Sequence, residues 1–456
     1  MNRAAIIDFA RMAAVGLLLA AAGCQQHVTP PAKGAPTFEA RADAATGPAR
    51  EGPPSASATA AKGAAPEPPP RPLRRCFPQR PAWDDAAVAD LLDRAADLFD
   101  AGDYPGALVC AEEAARQAPR SVEAHHNRAV ALLHLERLDE ARDAFALALA
   151  LAPEDPETLE AAADLYINQL PPSADRSLLG LEYARRGTRH TPARDAARRA
   201  RLALLEGQAL IDLGRAADAL RRLDASLAAE PDVASAQYER GVALFELCRF
   251  DEAHRMFEKV LADDSDHAHA LYHLGLIEER QGNEAAAARH LAAATAEDPK
   301  SFPPAPEVSQ PDFAARVSRA VAALDVDIRR DLTGIPVEAA DVPAQEDLTA
   351  EKPPLSPTIL GLFRGLPLDW NAREPLPTQS GRPSKKGRAE DEGAPPPPRC
   401  APTDAPDRTI ILYRRNILRT VHDDKELDQA ITRTLLHEVG HLRGEDDGSL
   451  RDRGLE

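Results

Sequence analysis

Basic residues and aromatic rings are both scarce in this chain. Its 55 Lys and Arg stand against 73 Asp and Glu, a net charge of −18, and Phe, Trp and Tyr together make up 4% of 456 residues. With no basic face and few rings to stack on bases, nucleic acid is excluded as the expected partner. Large apolar side chains are nearly missing from Gln25 to about Ala82, a stretch of Ala, Pro, Gly and Ser. Such a segment cannot bury enough surface to offset its chain entropy and reads as a tether. As a flexible coil it would span about 40 Å, and its prolines would stiffen it further. Beyond the first two dozen residues no hydrophobic run is long enough for a membrane helix. Proline, in contrast, is abundant. Its 41 copies fall in clusters along a chain too long for one ordinary core, which predicts folded blocks separated by linkers.

Residues 1–24 read as an export signal. Arg3 and Arg11 supply the positive start, with Asp8 an unusual intrusion, and Met12 to Ala22 is an apolar run too short to span a bilayer. The segment ends Ala21-Ala22-Gly23-Cys24, which resembles a bacterial lipobox with Ala21 where Leu is commoner. That resemblance implies a lipid on Cys24 and a membrane lipoprotein. Gln25 rather than Asp after the cysteine implies an outer-membrane destination, facing the periplasm.

From residue 83 to 301 the chain repeats itself. With Pro119, Pro153, Pro192, Pro231, Ser265 and Pro299 set as equivalent ends, small residues fall at matching offsets: Ala107, Ala141, Gly180, Ala219, Ala253 and Ala287. The spacing is about 34 residues, the tetratricopeptide period, and six helical hairpins are predicted. The third carries extra residues around Pro171 to Ser177. Each hairpin buries its apolar face only against its neighbours, and the first helix of each lines a concave groove suited to a protein or peptide partner. His125, His126 and Asn127 lie on such a helix and are expected on a solvated face.

The segment Thr432 to Asp447 carries the chemistry. His437 and His441 are four residues apart, about 1.1 helical turns, so both imidazoles fall on one face. Glu438 is placed to act on a water as general base without being a ligand. Asp423 with Glu426 forms a capping box, Ile431, Leu435, Val439 and Leu442 make an apolar stripe, and Gly444 supplies the stop. Two histidines leave zinc short of the three protein ligands a catalytic site needs. Asp447 is the expected third, returned by the turn at Gly444, with Asp446 and Glu445 as alternatives.

The pattern His437-Glu438-x-x-His441-x-x-Gly444-x-x-Asp447, with Leu450 and Arg453-Gly454-Leu455 after it, resembles the minimal zincin-like metallopeptidase family. The resemblance extends upstream through Val321 to Asp325, Ile335 to Glu338, Leu360 to Leu368 and Asp407 to Arg415. It implies zinc on His437, His441 and Asp447, with Glu438 as base, in a domain spanning residues 311–456. One stretch, Asn371 to Pro406, is far longer than the short loop of that family. No residue stands out in the sequence as a stabiliser of the oxyanion.

Ser301 to Pro311 is a proline-rich joint. Beyond it, Phe313 to Leu324 is periodic and helical, while Ile335–Ala339, Ile359–Leu366 and Thr409–Tyr413 read as strands. An edge strand among these three could take an extended peptide by strand addition. Four cysteines remain besides Cys24. Cys76 and Cys400, in linker sequence, are candidates to pair in an oxidising compartment, and Cys110 and Cys248 are expected as packed thiols. The reading is thus a multidomain chain, an all-α tetratricopeptide solenoid followed by a small α+β zincin-like domain. Either it is a lipid-anchored zinc metallopeptidase with a recruiting solenoid, or an envelope scaffold with a catalytically inert zincin-like domain.

Overall fold

The computed structural model describes residues 85–368 and 407–455. The export segment, the tether, the long insert, and Cys24, Cys76 and Cys400 lie outside them. The chain divides between Pro153 and Glu154 into two compact units.

The first unit contains two helical hairpins, α1 (Asp85–Asp100) with α2 (Tyr104–Gln117) and α3 (Val122–His134) with α4 (Leu138–Leu151). Side chains close the helix starts: Asp103 accepts from the Gly106 N–H at 2.9 Å and Ser121 from Ala124 at 3.2 Å. The repeat-marking residues Ala107 and Ala141 are buried, as are Phe145 and Ala148. Two expectations fail here. His125 and His126 are buried rather than solvated. His125 Nε2 bonds to the Pro119 carbonyl at 2.9 Å and His126 packs edge-on to Phe145. Cys110, expected as a packed thiol, is disulfide-bonded.

The second unit holds four more hairpins: α5 (Pro156–Asp164) with α6 (Ala174–His190), α7 (Ala196–Asp212) with α8 (Ala216–Ala229), α9 (Ala234–Glu246) with α10 (Phe250–Asp263), and α11 (Ala268–Arg280) with α12 (Glu284–Glu297). The third repeat carries a π turn, Leu165–Gln169, extending α5, where Leu170 N–H reaches back to the Leu165 carbonyl, just before the stretch Pro171 to Ser177 in which extra residues were expected. Leu202, Leu210, Val242, Phe245, Phe257 and Ile277 form one buried cluster. A buried polar line runs across the first helices of successive hairpins. Asn168 donates to Gln208 at 3.3 Å, and Gln208 donates to Glu239 at 3.2 Å. Cys248 is the buried free thiol the sequence predicts, pushed up to about 12 mainly by burial.

The joint after the repeats is packed rather than open, since Phe302 is buried and stacks on Tyr272 at 4.5 Å. Helix α13 (Gln310–Ala323) and the short α14 (Val326–Asp331) and α15 (Gln345–Leu348) surround a three-stranded sheet. Its strands are β1 (Val337–Ala340), β2 (Gly361–Arg364) and β3 (Thr409–Tyr413), in the order β1-β3-β2, with β1 parallel and β2 antiparallel to β3. All three predicted strands exist, the first two shorter than expected. The short helices α14 and α15, together with α16 (Arg414–Leu418), follow no periodic pattern in the sequence. Helix α17 (Asp424–Leu442) packs its stripe of Ile431, Leu435, Val439 and Leu442 against Ile410 and Leu412 of the central strand. Among the described residues no helix is long and apolar enough to cross a membrane.

The sheet domain is fastened to the last repeat by charge. Arg415 and Arg419 both grip Glu279 at the end of α11, at 2.8 and 2.6 Å, and Arg415 also reaches Glu284 at 2.8 Å. From the repeat side, Arg280 donates to the Pro343 carbonyl at 2.6 Å.

Candidate metal centre

Helix α17 starts as the sequence predicts. Asp423 accepts from the Glu426 N–H at 2.8 Å, although the Glu426 carboxylate turns to the His422 N–H instead of closing the box on Asp423. At its far end Gly444 adopts φ +86°, a left-handed conformation open to glycine, and the Glu445 N–H bonds back to the Gly440 carbonyl at 2.9 Å. The reversed chain enters α18 (Asp447–Asp452), capped by Asp446, which accepts from the Ser449 N–H at 2.8 Å. That cap places Asp447 over the two histidines.

The donor atoms of His437, His441 and Asp447 lie within 4.8 Å of one another. The two Nε2 atoms are 3.0 Å apart, and Oδ1 of Asp447 is 3.5 Å from His437 Nε2 and 3.0 Å from His441 Nε2. The alternatives considered from sequence are otherwise engaged, Asp446 as the cap and Glu445 in an ion pair with Arg453 at 2.6 Å.

The hydrogen bonds behind the rings test whether this cluster suits a cation. His437 Nδ1 faces the Leu455 carbonyl at 2.8 Å, and His441 Nδ1 faces the Glu445 carbonyl at 3.1 Å. A carbonyl oxygen only accepts, so each Nδ1 carries hydrogen and each neutral ring turns an Nε2 lone pair inward. Oδ1 of Asp447 is buried with no hydrogen bond directed at it. Three electron-pair donors facing one another repel unless a positive charge lies between them, and two imidazoles with a carboxylate are a zinc-type donor set. Burial disfavours a charged His441, yet the adjacent Asp447 and Glu438 outweigh it and push the imidazole up to about 8. The site attracts a cation, and a proton competes with a metal for it.

Glu438 is 4% exposed, wedged between α17 and β2. Burial is the main cause of its raised pKa, opposed by His441, His437 and a hydrogen bond from the Phe363 N–H. A carboxylate held at this position beside the two imidazoles is placed to take a proton and return it. Its neighbour across the gap is Gly361, where a Cβ would lie 2.8 Å from Glu438 Oε1 and 2.7 Å from Thr434 Cγ2.

The structure brings together the four side chains that the sequence singled out, in surroundings that the sequence did not mark. Gly361, the Phe363 N–H and the carbonyls of Glu445 and Leu455 escaped because three of these act through backbone and the fourth through a missing side chain. The sequence offered only indirect signals, the stretch Leu360 to Leu368 that holds Gly361 and Phe363, and Arg453-Gly454-Leu455 following the motif.

The comparisons with known proteins agree with this architecture. Residues 92–156, 204–253 and 247–302 match the tetratricopeptide repeat family model, which passes over the stretch holding the π turn. Residues 374–455 match the family model of zincin-like metallopeptidases. The chain therefore carries tetratricopeptide repeats followed by a C-terminal zincin-like metallopeptidase domain. The second match begins at 374, so the upstream resemblances from Val321 to Leu368 fall outside it. No curated protein matches the chain. Among solved structures, PilW, titled a type IV pilus biogenesis factor, is 22% identical, covering 46% of this chain and 94% of its own with a TM-score of 0.41. YrrB, titled a tetratricopeptide protein with an unusual peptide-binding site, is 20% identical over 41% and 92%, TM-score 0.33. TTC0263 from Thermus thermophilus, another tetratricopeptide protein, is 20% identical over 45% and 98%, TM-score 0.33. At these values the likenesses carry nothing about function.

Proposed function

We propose that the chain is a zinc-dependent peptidase whose tetratricopeptide groove recruits a protein or peptide, held at the cell envelope by a lipid on Cys24. The observation that carries the catalytic part is the convergence of His437, His441 and Asp447 beside a buried Glu438 with a raised pKa.

His437, His441 and Asp447 would hold the metal. Bound there, zinc supplies Lewis-acid polarisation of a carbonyl and acidifies water. Glu438 takes the proton from the attacking water and delivers it to the leaving amine. Strand β2 lies at one edge of the sheet and packs on α17, so an extended peptide added along it would present its backbone beside Glu438. The Phe363 N–H steadies the carboxylate from that strand.

The test is metal content and proteolysis of the purified protein, wild type beside Glu438→Gln, followed by a proteome-wide search for new N-termini in cells carrying each. Loss of specific N-termini in the Glu438→Gln cells supports the peptidase. Identical profiles, with Glu438→Gln rescuing the null phenotype, would leave the scaffold reading in its place. The anchor rests on the sequence ending at Cys24. Replacing Cys24 with Ser should abolish lipid labelling and move the protein from the membrane fraction to the soluble one, and a variant still found with membranes would refute it.

A further inference from the structure

We infer that the return segment Glu445–Leu455 is a clasp that sets the tautomer of both histidines, with the Leu455 backbone carbonyl acting as the positioning group for His437. This deepens the metal reading and rests on it. A neutral imidazole can carry its hydrogen on either nitrogen, and only the Nδ1–H form leaves an Nε2 lone pair for a metal. The acceptor behind Nδ1 therefore decides whether a histidine is ready to bind.

The chain brings both acceptors from one short stretch. After Gly444, Glu445 presents its carbonyl to His441 at once. Reaching His437, a full turn further back, requires the chain to fold twice more. Leu450 is fully buried on α17 at Gly440, where a Cβ would approach Leu450 Cδ2 to 2.2 Å, so α18 sits tight against the metal helix. Gly454 then takes φ +72°, and the Leu455 N–H bonds to the Leu450 carbonyl at 3.0 Å. That reversal aims the Leu455 carbonyl at His437 Nδ1, 2.8 Å away across 18 residues of sequence. The Arg453 to Glu445 ion pair joins the two acceptor-bearing ends, and Asp447 lies between them. One segment thus delivers the third donor and both tautomer-setting carbonyls.

Zinc affinity by chelator competition tests this in the full chain, in a form ending at Gly454, and in Leu455→Ala, which keeps the carbonyl. The shortened form should bind zinc about 10- to 100-fold more weakly, and Leu455→Ala should bind like the full chain. Gly454→Val cannot take φ +72° without strain and should reproduce the loss in a full-length chain. Nitrogen-15 spectra of the metal-free proteins supply a readout that a general loss of stability would not move: His437 in the Nδ1–H form in the full chain, and a tautomer mixture once Leu455 is removed. Equal zinc affinity in the full and shortened forms, or His437 in the Nε2–H form in the full chain, would overturn the clasp alone. A full chain that binds no zinc would remove the metal reading, and the clasp's role with it.

Discussion

Gly361 of the edge strand and Glu438 of α17 touch so closely that a single added methyl on Gly361 would lie 2.8 Å from the Glu438 carboxylate oxygen and 3.0 Å from its Cγ. The Glu438 carboxylate is therefore confined by a residue 77 positions away in sequence that has no side chain. Gly361→Ala should push the carboxylate from its place while leaving the donor triad intact. The expected result is a fall in kcat/KM of about 100-fold with zinc content unchanged, the scale of an ångström misplacement. Full turnover in that variant would mean the carboxylate moves freely and its position does not matter.

Ligation and catalysis separate by substitution. His437→Ala, His441→Ala and Asp447→Ala should each lose tightly bound zinc, whereas Glu438→Gln should retain it, because a base is not a ligand. Metal analysis of dialysed protein reads the difference. Stoichiometric zinc in Asp447→Ala would transfer the third position to another carboxylate.

Glu279 predicts how firmly the domain is held on the last repeat. Its side chain is 7% exposed and accepts from both Arg415 and Arg419. Glu279→Ala leaves two half-buried guanidinium groups without that partner, and should cost about 3 kcal/mol in denaturant unfolding. A loss below about 0.5 kcal/mol would place these contacts with ordinary surface ion pairs.

Asp341 links stability to acid. A hydrogen bond from Arg414, followed by the charges of Arg414 and Arg415, holds its carboxyl below the ordinary value, against a smaller opposing effect of burial. Because the folded state lowers this pKa, the stabilisation is complete above the ordinary carboxyl range of about 4 and disappears as pH falls through the folded value. Asp341→Asn should therefore be less stable than wild type at neutral pH and approach it in acid. Parallel stability curves for the two proteins across that range would show that the carboxyl does not contribute.

The sequence by itself determined the repeats and the two imidazoles, since both are statements about helical pitch. Small residues about every 34 positions mark helices that must approach closely, and Ala107, Ala141, Ala219, Ala253 and Ala287 are all buried. His437 and His441 share a face because four residues make about one turn, and Gly444 ends the helix because its left-handed φ suits glycine. The histidines of α3 were misread because a polar residue carries no mark of whether a neighbouring helix will cover it. The bond on Cys110 was misread because cysteine spacing fixes no connectivity.

Only the tertiary structure decided the rest. Gly361 meets Glu438, Leu455 orients His437, and Arg419 reaches Glu279 across 140 positions. Such pairings leave no period in the sequence, and the groups involved are backbone carbonyls, an absent side chain and surface-type charges that look alike until the fold brings them together. Local pitch could place both imidazoles on one helix and the turn at Gly444 could return Asp447 toward them, whereas the carbonyls behind the rings and the room around the Glu438 carboxylate depend on how the rest of the chain closes on that helix.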